Sequence, residues 1–204
     1  MSKDDTATAR AGEGEPGMVR YVLDKSRSTF TVHATAGGLL AGLGHNPTIA
    51  IRDFTAETSF EPDTFANASA RVVVKARSLE VIDDMKEKDR REITHTMFDE
   101  VLEVGAYPEI VFESTNVMVS HAGEARYKAR IIGDLTLHGV KRTGLWIPAQ
   151  VSLSGDDLHA RGEFTLKQTD YKIKLVSVAG GVLKLKDELK FAFDLVGTRA
   201  PAGG

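Results

Sequence analysis

The chain has 204 residues, of which 42% are hydrophobic and 27% are charged, and its formal net charge is −3. This length is typical of one domain, and it is long enough to bury a core without help from a disulfide or a metal. The charge disfavours a dedicated nucleic-acid binder, because such proteins usually carry a basic excess. The sequence contains no cysteine, which excludes a disulfide scaffold, a thiolate metal site and a cysteine nucleophile.

The two ends of the chain differ in composition from its middle. Residues 1–18 are rich in Gly, Ala and charged side chains, which is typical of a disordered tail. We therefore predict a tail over 1–18, one domain over 19–198 and a second tail over 199–204. No apolar run in the sequence resembles a signal peptide or approaches the ~20 residues that span a bilayer, so we expect a cytoplasmic protein without a membrane span.

Apolar and polar residues alternate through most of the domain, a period of two that is typical of half-buried strands. In residues 28–35, for example, Phe30 and Val32 alternate with polar side chains. Gly133 lies inside a predicted strand, where it indicates a bulge or a bend. About eight strands with short connections predict a sandwich or a barrel. The predicted strands cover 21–23, 28–35, 48–54, 56–60, 68–81, 109–118, 126–137, 142–154, 158–168 and 190–197, and the pattern over 171–183 is ambiguous.

One segment has the period of a helix. Nine of the ten residues 83–92 are charged, which is typical of a solvated helix face. Asp84 and Glu87 have the spacing of a capping box, and Ile93, Met97 and later apolar residues follow at i, i+4 spacing. Gly105 fits the position that ends a helix. We predict one helix, or two short ones, between 83 and 105.

Four segments carry a resemblance to a known family. Residues 107–115 read YPEIVFEST and residues 133–140 read GDLTLHGV, while 21–30 and 168–171 match less specific patterns. Over about residues 19–198 the chain resembles the YceI-like family. The resemblance implies a mainly β fold, an eight-stranded antiparallel lipocalin-like barrel with one short helical insertion. It also implies a lengthwise apolar cavity, which in several relatives holds polyisoprenoids, quinone-like tails or fatty-acid amides.

A barrel that holds a long apolar chain needs apolar side chains at its inward positions. The same side chains are expected of a packed core, so the sequence leaves open whether the barrel is hollow or filled. The predicted ligand-binding set is Phe30, Val32, Ile49, Ile51, Phe60, Val72, Val74, Met97, Phe98, Ile110, Phe112, Leu135, Leu137, Trp146, Phe164, Phe191 and Phe193. Leu39, Leu40 and Leu43 lie in a Gly-rich stretch over 37–44 that suits either an apolar lid at the barrel mouth or an ordinary loop.

The histidines carry the alternative hypotheses. His45 is the candidate catalytic residue and a candidate ligand-binding residue, because imidazole acts as a general base near neutral pH. Its candidate partners are the carboxylates of Asp53, Glu57 and Glu92. His45, His95 and His33 are also the candidates for a metal site, although no two of them have the short spacing of common metal motifs. His138 follows a strand in a tight turn, where we expect a structural hydrogen bond.

The sequence thus favours binding or carriage of an apolar chain, namely an isoprenoid, a quinone tail, a fatty acid or an amide. The expected partner is an apolar small molecule or lipid, with no nucleic acid and no cofactor. One alternative is an enzyme or metal-binding protein with a site centred on His45. Another is an interaction module that forms a homodimer through a sheet face or the helical segment.

Overall fold

The computed structural model describes residues 17–37, 46–178 and 183–201. Its helical elements are α1 (Glu87–His95), a π-helical turn (Thr96–Val101) and 3-10 turns at Lys25–Arg27, Ala76–Ser78 and Gln168–Tyr171. The strands are β1 (Val19–Leu23), β2 (Thr29–His33), β3 (Ala36–Gly37), β4 (Thr48–Ile51), β5 (Phe54–Phe60), β6 (Ser69–Lys75), β7 (Leu79–Val81), β8 (Glu109–Gly123), β9 (Arg126–Leu137), β10 (Val140–Ser154), β11 (Asp157–Lys167), β12 (Ser177–Val178), β13 (Leu183–Leu185) and β14 (Glu188–Arg199). Among the described helices, none is long and apolar enough to cross a membrane.

Eight of these strands form a closed antiparallel barrel in the order β1-β5-β6-β8-β9-β10-β11-β14. The last strand returns to the first, with Tyr21 opposite Arg199 and Leu23 opposite Gly197. Arg199 therefore belongs to the barrel, one residue beyond the predicted boundary at 198. Closure leaves no unpaired edge along this ring. The predicted eight-stranded antiparallel barrel with one helical insertion is confirmed.

The sheet divides at one end of the barrel, which we call the helix end. There β2 also pairs with β14, and the pairing continues through β4 to β7. The prediction of one strand over 68–81 is wrong, because the 3-10 turn Ala76–Ser78 separates β6 from β7. Ala76 is 1% exposed and donates its N–H to the carbonyl oxygen of Pro108 at 2.9 Å. After the turn the chain changes partner, because β6 pairs with β8 whereas β7 pairs with β4.

The helical segment lies against β7. The guanidinium group of Arg90 donates hydrogen bonds to the carbonyl oxygens of Val81 and Asp83, the second at 2.8 Å. The predicted capping box is wrong, since α1 begins at Glu87 with Lys86 as its N-cap and no side chain caps it. The predicted stop at Gly105 is also wrong, because Glu103 adopts the left-handed conformation at φ 46°. The Val104 N–H then donates to the Phe98 carbonyl oxygen at 2.9 Å, six positions back, which closes the end of the π-helical turn.

Two bulges surround Gly133. The register shifts between Ser114 and Asn116 on β8 and between Arg142 and Leu145 on β10. The bulge predicted at Gly133 lies instead on the two neighbouring strands, and Gly133 faces both bulges from β9. A Cβ at Gly133 would stand 2.4 Å from the Glu113 carbonyl oxygen. The bulge on β10 adds one residue to that strand. Side chains after the bulge therefore point to the opposite face from the one that simple alternation predicts.

Candidate functional site

The interior of the barrel holds a cavity of about 600 Å³. This volume lies within the roughly 300–1,000 Å³ range of small-ligand sites. The wall is formed by inward side chains from the whole ring of strands and from the helical segment. In the part of the chain that the structure describes, the barrel is therefore hollow, which the sequence left undecided.

Most of the predicted ligand-binding residues meet at this wall. The cavity is lined by Phe30, Val32, Ile49, Ile51, Phe60, Val72, Val74, Met97, Ile110, Phe112, Leu135, Leu137, Phe164, Phe191 and Phe193. Strand alternation brings them together because every second side chain of a barrel strand points inward. That these side chains contact a ligand stays a prediction.

Two predicted residues do not line the cavity. Phe98 is half-buried and packs against the core cluster that contains Met97, without reaching the wall. Trp146 is 53% exposed, so its predicted inward orientation is wrong. The bulge before Leu145 is the cause, because it turns Leu145 and Ile147 inward and pairs Trp146 with Ile132 on the outer face. Leu39, Leu40, Leu43 and His45 lie outside the described residues.

Sequence reasoning missed several wall residues. Leu145 and Ile147 were not among the predicted residues because Trp146 between them was placed inward, and Gly144, with φ at 77°, is the sequence feature next to the bulge. Small inward side chains were not predicted, because alanine gives a weaker hydrophobic signal than valine or phenylalanine. Their small volume leaves space inside the barrel. The small wall residues include Ala34, Ala56, Ala70, Ala129 and Ala160.

Aromatic rings form one side of the cavity. The rings of Phe164 and Phe191 stack with centroids 4.8 Å apart and planes at 11°. Phe30 approaches Phe191 at 6.3 Å and packs edge-on against Phe54 at 5.7 Å. Such pairs are favourable beyond the area that they bury, so they stabilise this side of the wall.

The end of the barrel opposite the helix is covered by a second aromatic group. The ring of Phe65 lies 5.0 Å from that of Phe60 and 4.6 Å from that of Tyr127. Phe65 adopts a φ of 55°, a rare conformation for a bulky residue. Its N–H donates to the Glu61 carbonyl oxygen at 3.0 Å, and Asn67 Nδ2 donates to Glu61 Oε1 at 2.6 Å. These bonds hold the turn that places Phe65 over this end.

Polar side chains reach the cavity at the helix end. Asp89, Glu92 and Thr96 contribute from the helical segment, and Gln168 contributes from the turn after β11. Gln168 is 3% exposed, and its Nε2 donates to the Lys186 carbonyl oxygen at 3.0 Å. The described wall contains no Lys, Arg or His. Glu57 and Thr58 on β5 are further polar wall residues, so the cavity is a largely apolar tube with most of its polar residues near the helix end.

Comparison with known proteins agrees with this architecture. The model of the YceI-like domain matches residues 21–197. The chain belongs to the YceI-like family. A UPF0312 protein of Vibrio parahaemolyticus is 30% identical over 138 residues, which cover 67% of this chain and 65% of that protein. A UPF0312 protein of Vibrio campbellii matches to the same extent. The alignment thus spans just under two thirds of the length of these relatives.

Solved structures confirm the YceI-like fold. BcnA of Burkholderia cenocepacia superposes with a TM-score of 0.66 at 20% identity, covering 86% of this chain and 99% of that one. A polyisoprenoid-binding domain from Saccharophagus degradans superposes with a TM-score of 0.62 at 17% identity, covering 89% and 98%. At these identities the likeness concerns the fold alone.

The described histidines of this YceI-like barrel lie outside the cavity. His33 is exposed, with Nδ1 3.3 Å from Thr48 Oγ1, and His95 is exposed and pairs with Asp99 at 2.5 Å. Over 17–37, 46–178 and 183–201, no three His, Asp or Glu side chains form a group that could hold a metal. Because His45 lies outside these ranges, the predicted metal site at His45, His95 and His33 stays a prediction.

The structural hydrogen bond predicted for His138 is confirmed. His138 Nε2 lies 2.6 Å from Glu103 Oε2, and its Nδ1 lies 3.3 Å from the Tyr171 carbonyl oxygen. Its ring packs edge-on against Tyr107 with centroids 4.6 Å apart. His138 therefore connects the end of the helical segment to the turn that carries Gln168.

Two of the carboxylates considered as partners of His45 are engaged elsewhere. Asp53 accepts a hydrogen bond from Lys25 Nζ at 2.5 Å, and this ammonium group lowers the pKa of Asp53. Glu57 pairs with Arg20 at 2.5 Å. Of the three candidates, only Glu92 both lines the cavity and makes no ion pair within the described residues. The structure therefore adds no support for a catalytic site at His45.

Proposed function

We propose that this YceI-like protein binds and carries an apolar chain in its barrel cavity. The observation that carries the proposal is the hollow interior of about 600 Å³, whose wall is almost entirely aliphatic and aromatic. Such a wall offers little to a polar substrate, whereas each methylene that leaves water gains about 0.8 kcal/mol. The occupant we propose is an isoprenoid, a quinone tail, a fatty acid or an amide.

The shape of the interior supports an elongated occupant. The wall runs from Phe65 at one end to Gln168 at the other, along the length of the eight strands. Small residues such as Ala129 and Ala160 alternate with large ones on the wall, so the space continues past the central aromatic rings. A linear chain fits this geometry better than a compact molecule does.

The relatives support the same assignment. One solved domain of the same fold, from Saccharophagus degradans, is a polyisoprenoid-binding domain. Eight-stranded barrels of lipocalin type are also wide enough to hold one small ligand. The cytoplasmic location and the homodimer expected from the sequence stay predictions.

Native mass spectrometry of freshly purified full-length protein tests the proposal. We expect an adduct of a few hundred daltons on the folded chain, because an apolar ligand dissociates slowly from an apolar cavity in the barrel interior. A denaturing spectrum of the same sample is the control, since it should show the chain mass alone and thereby exclude a covalent modification. Extraction with organic solvent should then release a molecule with a long apolar chain.

A clear negative result is available. If the extracted protein takes up neither hexadecanol, palmitate nor geranylgeraniol, the cavity does not serve as a binding site for apolar chains. Spectra recorded after incubation with each of these compounds would show it.

A further inference from the structure

We infer that Gln168 Oε1 accepts a hydrogen bond from the head group of the bound chain, and that this head group is uncharged. The ligand class is then a long-chain alcohol or primary amide, which presents an O–H or N–H at one end. This inference rests on the proposed function and goes beyond it. It identifies the residue that binds the head group, and it places the head group of the ligand at the helix end of the cavity.

The position of Gln168 is unusual for its chemistry. It is the buried polar residue in the described core, at 3% exposure, and it lines the cavity beside apolar residues such as Ile173 and Leu185. Its backbone N–H donates to the Asp187 carbonyl oxygen at 3.0 Å, so its main chain is anchored to the segment before β14. A buried amide among apolar neighbours is costly unless its polar atoms find partners.

The orientation of the side-chain amide follows from one contact. Gln168 Nε2 lies 3.0 Å from the Lys186 carbonyl oxygen. Since a carbonyl oxygen only accepts hydrogen bonds, the atom that faces it must be the NH₂ group. The acceptor Oε1 therefore points away from Lys186.

This Oε1 has no hydrogen-bond donor among the described residues. In that same part of the chain, no side-chain polar atom that is sealed from solvent lacks a partner. Oε1 therefore keeps some accessible surface, and Gln168 is a residue of the cavity wall. A ligand that supplies a donor there satisfies the acceptor, whereas a purely apolar chain leaves it unpaired.

The charges around the cavity determine what kind of donor fits. The charged residues on the described wall are Glu57, Asp89 and Glu92, and all three are acids. Glu57 is already paired with Arg20. An ionised carboxylate or phosphate inside the cavity would meet no cation and would face Gln168 Oε1, which repels it. An alcohol or an amide needs no countercharge.

Lysines do occur near the helix end, but on the outside. Lys172, Lys174 and Lys186 are exposed to solvent. An anionic head group that paired with them would remain outside the cavity and would leave Gln168 unused. If the protein binds anionic head groups in this way, palmitate should bind at least as tightly as hexadecanol, and the experiment below distinguishes this outcome.

The test compares ligands with the same tail and different head groups. Calorimetric titration of the extracted full-length protein uses hexadecanol, hexadecyl methyl ether and palmitate. Because one neutral hydrogen bond differs, we expect hexadecanol to bind about three- to tenfold more tightly than the ether. We also expect hexadecanol to bind more tightly than palmitate at pH 7.

Two variants assign the preference to Gln168. Gln168→Met keeps the length of the side chain but removes the acceptor, so the alcohol and the ether should bind equally. Gln150→Met is the matched control, because Gln150 is exposed on the outer face of β10. The control should keep the preference of the unmodified protein. If Gln168→Met does not fold, the comparison of alcohol with ether in the unmodified protein decides.

Several results would overturn the inference. Equal affinity for alcohol and ether in the unmodified protein contradicts it. So does an equal weakening of both ligands by Gln168→Met, which indicates a purely structural residue. Palmitate binding as tightly as hexadecanol indicates a head group held by external lysines. In each of these cases the proposed function stands, whereas failure of these three ligands and of geranylgeraniol to bind removes both proposals.

Discussion

Single residues decide where the barrel wall begins and ends. Trp146 shows this most clearly, because one extra residue in β10 places its indole outside, at 53% exposure, and Leu145 and Ile147 inside. The alternation of the sequence is the same with or without the bulge. In the sequence, only Gly144 indicates the bulge, because its backbone is left-handed with φ at 77°.

A glycine on β11 supports the first prediction at this scale. Gly162 lies opposite Phe193, and a Cβ at position 162 would stand 2.2 Å from the Pro148 carbonyl oxygen and 2.7 Å from Phe193 Cζ. The chain must shift to accommodate even one methyl group. We therefore expect Gly162→Ala to lower the free energy of unfolding by about 1–3 kcal/mol, measured by equilibrium unfolding in urea.

Gly105 provides the matched control for this substitution. A Cβ at Gly105 meets no atom within 4 Å. Gly105→Ala should change the free energy of unfolding by less than about 0.5 kcal/mol. If the two variants have the same free energy of unfolding, the neighbours of Gly162 make room for a methyl group without loss of stability, which contradicts the prediction.

At the scale of elements, the corner between β1 and β2 is tied across β14 to the start of β11. Asp24 accepts from the Ser26 N–H at 2.9 Å and caps the 3-10 turn Lys25–Arg27. Arg27 then bridges Asp24 at 2.7 Å to Asp157 at the start of β11 at 2.5 Å. Hydrogen bonds from Ser26 and Arg27 lower the pKa of Asp24 to about 2, and Arg27 lowers the pKa of Asp157.

These ion pairs predict how stability depends on pH. Because both carboxyl groups have a lower pKa in the folded chain than the unfolded value of about 3.9, their stabilisation is present above that value. It is lost as the pH falls through the folded pKa values. We expect Asp157→Asn to lower the Tm at pH 7, and the difference from the unmodified protein to shrink between about pH 5 and pH 2.

The neighbouring aspartate controls for a general effect of charge. Asp156 makes no ion pair within the described residues. Asp156→Asn should therefore leave the Tm close to that of the unmodified protein across the same pH series. If Asp157→Asn keeps a constant Tm difference down to pH 2, the bridge through Arg27 is not the source of its effect.

At the scale of the whole molecule, the property that determines ligand binding is the hollow interior of the barrel. Val72 and Val73 are neighbours on β6, but only Val72 lines the cavity. Val72→Trp places an indole in the middle of the barrel, whereas Val73→Trp adds the same bulk outside. We expect the first variant to lower the affinity for hexadecanol at least tenfold and the second to leave it unchanged, as measured by titration calorimetry.

Fluorescence verifies where the new side chain lies. The chain has one tryptophan, and it is exposed, so an indole buried at position 72 should add blue-shifted emission. If Val72→Trp shows this emission and still binds hexadecanol normally, the ligand does not occupy this cavity. Val72→Phe is the smaller alternative should the tryptophan variant fail to fold.

Local patterns predicted much of the fold. The alternation of Phe30 and Val32, or of Val72 and Val74, identifies an inward face because successive side chains of a strand point to opposite sides. The i, i+4 spacing of Ile93 and Met97 likewise identified the face of the helical segment that reaches the cavity. These features depend on neighbours in sequence, so they can be recognised without the tertiary structure.

Long-range pairing determined what the patterns missed. The break between β6 and β7 exists because β7 pairs with β4 rather than with β8. The role inferred for Gln168 depends on the Lys186 carbonyl oxygen, eighteen positions along the chain. Neither contact leaves a periodic signal in the sequence.

The sequence by itself determined a mainly β fold, the absence of thiol chemistry and apolar inward positions, because composition and period two are local properties. The choice of a barrel over a sandwich came from the resemblance to the YceI-like family. Only the tertiary structure decided that the barrel is hollow in its described part and that most of its polar wall residues lie near one end. The physical reason is that the distance between opposite walls depends on strand number, stagger and bulges. Whether side chains meet across the barrel or leave about 600 Å³ between them is therefore a property of the closed ring.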